Sequence, residues 1–353
     1  MSKKTTLRFV GDIMLGGSVL TKIQEFGPTF PFERFIGKTE PADIFFGNLE
    51  CALFGGDSPP RPDKILLHST PAATSGLVKL GIKIVSLANN HAFDYGNASF
   101  KKAQSHLEAN GISCVGGGDN ISMATRPVVL ERNGLRFAFL AYCAREASCR
   151  EFADDSNPGV ALLDPDTIQK NIETARERSD FVIVSLHFGL EFSDYPTPEN
   201  VRVARKIIEH GATVVVGSHA HVMQGFEYYK HGLILYDLGS FVFGDIIISS
   251  PIEYKYHLRK KRAKLGMMVD CVFGKEGIIY HEFIPIQINS DFQATLLDGK
   301  ERESTVRAFN RQSKLIANGG YLVYLKLRQY KKKTLKFMRS WAALRKLEAL
   351  VRK

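Results

Sequence analysis

Short apolar runs bounded by Gly, Asn, Asp or Ser recur through the first 245 residues: Leu7–Val10, Asp43–Phe46, Lys83–Leu87, Arg136–Ala141, Phe181–Leu186, Thr213–Val216 and Leu233–Tyr236. Runs this short read as buried strands. Between them lie amphipathic stretches of helical length: Ala72–Leu80, Ser99–Asn110 closed by Gly111, Pro165–Arg178, and Glu199–His210 closed by Gly211. A glycine just past the last periodic residue is a helix stop, because it enters the left-handed region at no steric cost. Strand and helix alternate, which makes the class α/β. Two later runs, Met267–Val272 and Gly277–Pro285, predict a hairpin that finishes the sheet layer. With 353 residues and 44% hydrophobic content the chain buries a large core, and disordered or fibrous classes are excluded.

The formal charge of +10 invites a nucleic-acid reading, so its distribution decides more than its sum. Residues 311–353 carry thirteen Lys or Arg against one acid, Glu348, a net +12, which leaves residues 1–310 at −2. The body is nearly neutral, and nucleic acid is an unlikely partner. In the last stretch Leu322, Leu325, Tyr330, Leu335, Met338, Trp341, Leu344 and Leu347 recur at helical intervals among cations. This pattern predicts a basic amphipathic helical tail suited to an anionic membrane surface, or a solvated helix packed on the body. A second basic segment, Lys255–Lys264 (KYHLRKKRAK), reads as a solvated loop. The expected organisation is a domain over 1–290, with 291–353 as linker and tail.

No stretch approaches the roughly 18 apolar residues of a spanning helix, and Met1-Ser2-Lys3-Lys4 leads into a strand without a secretory apolar region. The expected location is the cytosol, with peripheral attachment at the inner membrane face through the tail. Cys51, Cys114, Cys143, Cys149 and Cys271 show no CxxC spacing and read as reduced, mostly core thiols.

The informative polar residues stand at the ends of the apolar runs. Asp12 follows Leu7–Val10 after one glycine, Glu50 follows Asp43–Phe46 within GNLE, and Asn89-Asn90-His91 follows Lys83–Leu87. His187 directly follows Phe181–Leu186, and His219 with His221 follows Thr213–Val216 in GSHAH. Five strands thus deliver metal-type donors just past their carboxyl ends, where α/β sheets open a polar crevice. Taken singly, each has a plainer reading: a turn acid for Asp12, a helix-start acid for Glu50, a helix cap for Asn90, a core imidazole for His187. Together, carboxylate, amide oxygen and imidazole without thiolate suit Mn, Fe or Zn in an open site rather than a closed structural zinc. Two ions roughly 3.5–4 Å apart need a shared carboxylate, and Glu50 is the candidate bridge. Glu191 reads as an acid orienting His187, contacting substrate, or simply exposed. Asp237 and Ser240 in YDLGS shape a pocket or close a turn, and Gly116-Gly117-Gly118-Asp119 is a loop.

The segments FVGDIMLGG (Phe9–Gly17), FGNLE (Phe46–Glu50), SLANNHAFDYG (Ser86–Gly96), HFGLEF (His187–Phe192), GSHAHVMQGFEYY (Gly217–Tyr229) and LILYDLGSFVF (Leu233–Phe243) resemble, in order and spacing, the motifs of the CapA family. That family is named for capsule and poly-γ-glutamate synthesis. The resemblance, over roughly residues 7–290, implies a calcineurin-like metallophosphoesterase fold: a two-sheet sandwich flanked by helices. It also implies one metal on Asp12, Glu50 and His221 and a second on Glu50, Asn90, His187 and His219. A hydroxide shared by the ions would be the nucleophile, with His91 as proton donor to the leaving group. The substrate would be a phosphoester or an anionic polymer, with an amide or γ-glutamyl bond left open. Related phosphoesterases often begin Asp-x-His, whereas Met14 stands at the histidine position here. A non-catalytic assembly role with a vestigial metal site is the competing expectation.

Overall fold

Side-chain alternation along the central strands sorts the core into two layers. In the strand Leu135–Cys143, Phe137 and Phe139 face one cluster, while Ala138, Leu140 and Tyr142 face another. The strand Phe181–His187 repeats the pattern, with Phe181 and Ile183 on one side and Val182, Val184 and Leu186 on the other. A period of two with both faces apolar is what a parallel strand covered on both sides requires. The computed structural model describes residues 4–55, 65–248, 254–256 and 261–328.

These strands belong to a six-stranded sheet ordered Met223–Tyr229, Gly232–Leu238, Val214–Ser218, Phe181–His187, Leu135–Cys143, Val128–Arg132. Its four central strands run parallel, and both edges are antiparallel. The eight-stranded sheet runs Ala294–Leu296, Gly277–Ile288, Leu265–Gly274, Thr5–Ile13, Ile44–Leu49, Ile84–Ser86, Ser113–Val115, with Ser240–Val242 pairing off Thr5–Ile13. Leu7 and Phe9 of this sheet share a cluster with Phe137, Phe139, Val214 and Leu233 of the other, so the sheets pack face to face. Helices Pro165–Arg176 and Pro198–Glu209 cover the outer face of the six-stranded sheet with Ile168, Ile172, Ala204, Ile207 and Ile208. The architecture is the α/β two-sheet sandwich flanked by helices that the motifs imply.

Most strand and helix expectations coincide with observed elements to within two or three residues. The first strand is longer than its apolar run: Thr5–Ile13 carries Asp12 inside it. Gly11 permits this, since a Cβ there would lie 1.8 Å from the Gly239 carbonyl oxygen. The close approach lets the Asp12 N–H donate to that same oxygen at 3.1 Å. Gly117–Gly118, expected as loop, forms a two-residue pairing with Gly159–Val160. Of the basic insertion, Tyr254–Tyr256 pairs with Ile246–Ile248 and Lys261–Lys264 makes a 3-10 turn; residues 257–260 lie outside the described residues.

The chain beyond 290 does more than link. Ala294–Leu296 joins the eight-stranded sheet, and the helix Gly299–Ala317, burying Thr305, Phe309, Ser313 and Ile316, packs chiefly on Met223–Tyr229 of the six-stranded sheet and also on Gly277–Ile288. After Gly319-Gly320 a further helical stretch covers 321–328, and the rest of the expected tail, 329–353, lies outside the described residues. Among the described residues no helix is long and apolar enough to cross a membrane.

Candidate metal centre

The parallel strands of both sheets end at one place, and the predicted donors meet there. Asp12 is near the end of its strand, and Glu50 is the residue after Ile44–Leu49, its N–H donating to the Ile13 carbonyl at 2.9 Å. His187 closes Phe181–His187, while His219 and His221 follow Val214–Ser218. All are almost fully buried.

Two donor groups result. Asp12, Glu50 and His221 form one and Glu50, His187 and His219 the other, the ligand atoms of each lying within 4.8 Å of one another. Glu50 belongs to both. His221 Nδ1 lies 2.8 Å from Asp12 Oδ2, and Glu50 Oε1 lies 3.6 Å from His187 Nε2 and 3.9 Å from His221 Nε2. Asn90 Oδ1 is 3.0 Å from His187 Nε2, which places it with the second group. His91 joins neither group, but its charge acts on His187 and His219 of the second, and its Nδ1 lies 2.7 Å from Asp94 Oδ2.

Backbone strain concentrates in the histidine turn. His219 at φ 98° and His221 at φ 54° are both left-handed, a conformation that non-glycine residues hold only when the surroundings enforce it. Asp237 enforces it, because its Oδ2 accepts the Ala220 N–H at 2.7 Å while its Oδ1 accepts the Gly239 N–H at 2.6 Å. One buried carboxylate therefore ties the histidine turn to the loop that also receives the Asp12 N–H. Asn48 lies between the acids, donating from Nδ2 to Asp12 Oδ1 at 2.9 Å and accepting at Oδ1 from Asn89 Nδ2 at 3.1 Å. Its amide nitrogen faces Asp12, so it serves as a spacer rather than an oxygen ligand. Met14 is fully buried and its Sδ accepts the Gly16 N–H at 3.1 Å, so it faces the chain and offers no histidine substitute.

The electrostatics are those of a cation site. Asp12, Glu50 and Asp237 are each at most 1% exposed, and among the described residues no Lys or Arg pairs with them. Burial, reinforced by Asp12, Glu191 and Asp237, pushes the Glu50 carboxyl well above its ordinary range. Burial acts on Asp12 in the same direction, but the contacts with His221 and Asn48 outweigh it and hold that carboxyl low. His187 is pushed well down by burial and then by its neighbour imidazoles, and His219 down to about 3 for the same reasons. Both rings are thus neutral, the form that ligates metal. His219 Nδ1 is moreover buried with no hydrogen-bond partner among the described residues. An orphaned imidazole nitrogen beside uncompensated carboxylates fits bound metal ions.

Cation binding is therefore expected to expel a proton. In the metal-free protein the raised Glu50 carboxyl stays protonated above the usual 4.5, and a cation displaces that proton, so affinity rises with pH through this window. His187 and His219, already neutral, contribute no such slope until strong acid. Calorimetric titration with Mn2+ at pH values stepped upward from 4.5, in buffers of different ionisation heat, should show protons released on binding. Release of none would contradict this electrostatic account.

Sequence reasoning left several supports unseen. Ser218 Oγ lies 3.0 Å from His187 Nδ1 and orients that ring. Asn89 donates to the Leu49 carbonyl at 2.9 Å and accepts the His91 N–H at 3.0 Å, fixing two donor segments at once. Each adjoins a donor in the chain, and that adjacency was the available signal.

The fold is metallophosphoesterase-like: two sheets whose carboxyl ends converge on a carboxylate and imidazole cluster. The chain belongs to the family described as bacterial capsule synthesis protein PGA_cap, whose model matches residues 6–245 and so takes in every donor named above. It is 31% identical over 267 residues to "Capsule biosynthesis protein CapA" of Bacillus anthracis, covering 73% of this chain and 65% of that one. It is 30% identical over 257 residues to "PGA biosynthesis protein CapA" of Bacillus subtilis, covering 71% and 67%. The chain thus spans about two thirds of the length of these relatives. Among solved structures, a phosphatase from Mycoplasma pneumoniae shares the fold at TM-score 0.51 and 12% identity, covering 86% of this chain and 98% of that one.

Proposed function

We propose that this protein is a dinuclear metal-dependent hydrolase of phosphoester type, acting in synthesis of a capsule or poly-γ-glutamate-like anionic polymer. The observation that carries the reading is the pair of three-donor groups sharing Glu50, since a common carboxylate is what two adjacent cations need. Asp12, Glu50 and His221 would hold one ion; Glu50, Asn90, His187 and His219 would hold the other. Imidazole, carboxylate and amide oxygen without thiolate favour Mn, Fe or Zn. Cys51, next to Glu50 in the chain, is pushed up to about 12 by burial and supplies no thiolate. Bound there, an ion pair supplies Lewis acidity and lowers the pKa of water. The chain's own contribution is placement. Asp94 fixes the His91 ring through Nδ1, leaving Nε2 to deliver a proton to the leaving-group oxygen, and Ser218 orients His187.

The reading is tested by turnover of bis(p-nitrophenyl) phosphate by the full chain, metal-free and after loading with Mn2+. Activity only in the loaded protein supports it; equal, negligible turnover with metal demonstrably bound favours the second reading, a non-catalytic assembly factor. The buried, unligating Met14 is the observation on that side.

We also propose an anionic membrane surface as a partner. In the stretch 321–328, Leu322, Val323, Lys326 and Leu327 are exposed on one face of the helix. Apolar groups flanked by cations suit an anionic interface. Full-length protein is expected to sediment with vesicles containing phosphatidylglycerol at low salt, and a chain ending at Arg328 to do so several-fold less. Equal sedimentation of both would remove the tail from the account.

A further inference from the structure

The donor cluster has a wall whose supports lie outside the motifs. The loop after His187 carries Glu191, whose charge acts on Glu50, and Phe192, whose ring centre lies 6.0 Å from that of His221. Phe192 is left-handed, at φ 55°, and its N–H donates to the Ala220 carbonyl at 2.8 Å. Ala220 is therefore gripped on both sides, its N–H by Asp237 and its carbonyl by this loop. The position of the histidine turn depends on where the loop sits.

Besides Ala220 and Gln224, the loop is held by residues beyond 260 in the chain. The Phe192 carbonyl accepts from Arg262 Nη2 at 3.1 Å and from Arg328 Nη2 at 2.9 Å. Asp194 receives Arg262 Nη1 and, at 2.5 Å, the Tyr324 hydroxyl, while its carbonyl accepts from Gln312 Nε2 at 3.0 Å. Gln312 donates at the same time to the Met223 carbonyl at 2.9 Å, joining the loop to the strand that leaves the histidine turn. Tyr195 packs edge-on against Tyr324 with ring centres 4.8 Å apart. In the helical stretch 321–328, Tyr321, Tyr324, Leu325 and Arg328 recur at three- and four-residue spacing on one face, with Tyr321 buried and Tyr324 reaching the loop while still exposed. Charge-assisted bonds to a single carbonyl are among the stronger contacts a protein makes with a loop, and two guanidinium groups converging on one carbonyl fix its direction.

We infer that Arg262, Tyr324 and Arg328 are positioning residues for the metal centre: through Phe192 and Ala220 they set the His219–His221 turn. This makes the segment beyond 317 part of the site's architecture. The catalytic consequence rests on the hydrolase reading above, while the effect on metal binding does not.

The test compares the full chain with Tyr324→Phe, Arg328→Ala and their double variant, with Arg328→Lys as the conservative rescue. Lys101→Ala, which removes an exposed pair with Asp119, is the control. Amide exchange of the 188–196 region, Mn2+ affinity by calorimetry, and turnover of bis(p-nitrophenyl) phosphate are read in parallel. The double variant is expected to unfold as cooperatively as the parent, exchange the loop amides about tenfold faster, bind Mn2+ several-fold more weakly and lose about tenfold in kcat with KM little changed. Arg328→Lys should recover most of the Mn2+ affinity. Unchanged exchange, or faster exchange with unchanged Mn2+ affinity, overturns the inference. Absence of turnover in the parent protein defeats the hydrolase reading alone, since exchange and metal affinity still decide the positioning role. If the double variant misfolds, Tyr324→Phe, which deletes one hydroxyl, carries the comparison.

Discussion

Glu50→Gln is expected to abolish turnover, by at least about a thousandfold, while leaving the metal-free protein as stable as before or more so. The two effects have one cause. Glu50 is the only carboxylate common to both donor groups, so its loss removes a ligand from each. In the absence of metal, however, the same side chain is a burden. It is buried beside Asp12, Asp237 and Glu191 with no Lys or Arg partner among the described residues, and this is why its carboxyl is driven up. A neutral amide of the same shape removes that repulsion. Thermal unfolding in EDTA should therefore give an equal or higher Tm for the variant, and saturating Mn2+ should raise Tm for the parent only. A variant that still gains Tm with Mn2+ and retains turnover would refute the bridging role. Asp12→Asn offers a contrast: that carboxyl is held low by His221 and Asn48, so removing its charge should destabilise even the metal-free protein.

The parts of the site legible in the sequence are those where chain adjacency and spatial adjacency coincide. A donor directly after an apolar run lies at a strand end because the strand ends there, which is why His187, Glu50 and the His219–His221 pair were readable. The histidine turn was readable as a pair but its cause was not. Asp237 acts on Ala220 from the end of another strand, and a contact between strands leaves no trace in local spacing. The same holds for Arg262. Within KYHLRKKRAK it looks like one more solvated cation, and only packing reveals its bonds to Phe192 and Asp194. The helix Gly299–Ala317 was missed because its buried face is so narrow: Thr305, Phe309, Ser313 and Ile316 include two small polar residues, and Ser313 earns burial by accepting the Phe226 N–H at 2.9 Å. The strand Met223–Tyr229 was hidden for a related reason. Its register shifts at Gly225, where φ is 89°, so its apolar positions do not keep a clean period of two.

His91→Ala is expected to lower kcat by about 10²–10⁴-fold without changing metal content, because the ring acts on His187 and His219 yet belongs to neither donor group. Metal content alone separates it from Glu50→Gln. The size of the loss should depend on the leaving group. A proton donor contributes least when the departing oxygen is already a weak base, so p-nitrophenyl esters should suffer less than esters of alkyl alcohols. Asp94→Asn should show the same pattern in milder form. The Asp94 carboxylate lies 2.7 Å from His91 Nδ1 and also accepts the Leu67 N–H at 2.6 Å, so an amide in its place weakens the hold on the ring without removing the proton donor. Equal losses for good and poor leaving groups would strip His91 of the proton-donor role, leaving it a substrate contact. An unchanged rate for both would place it outside the reaction altogether.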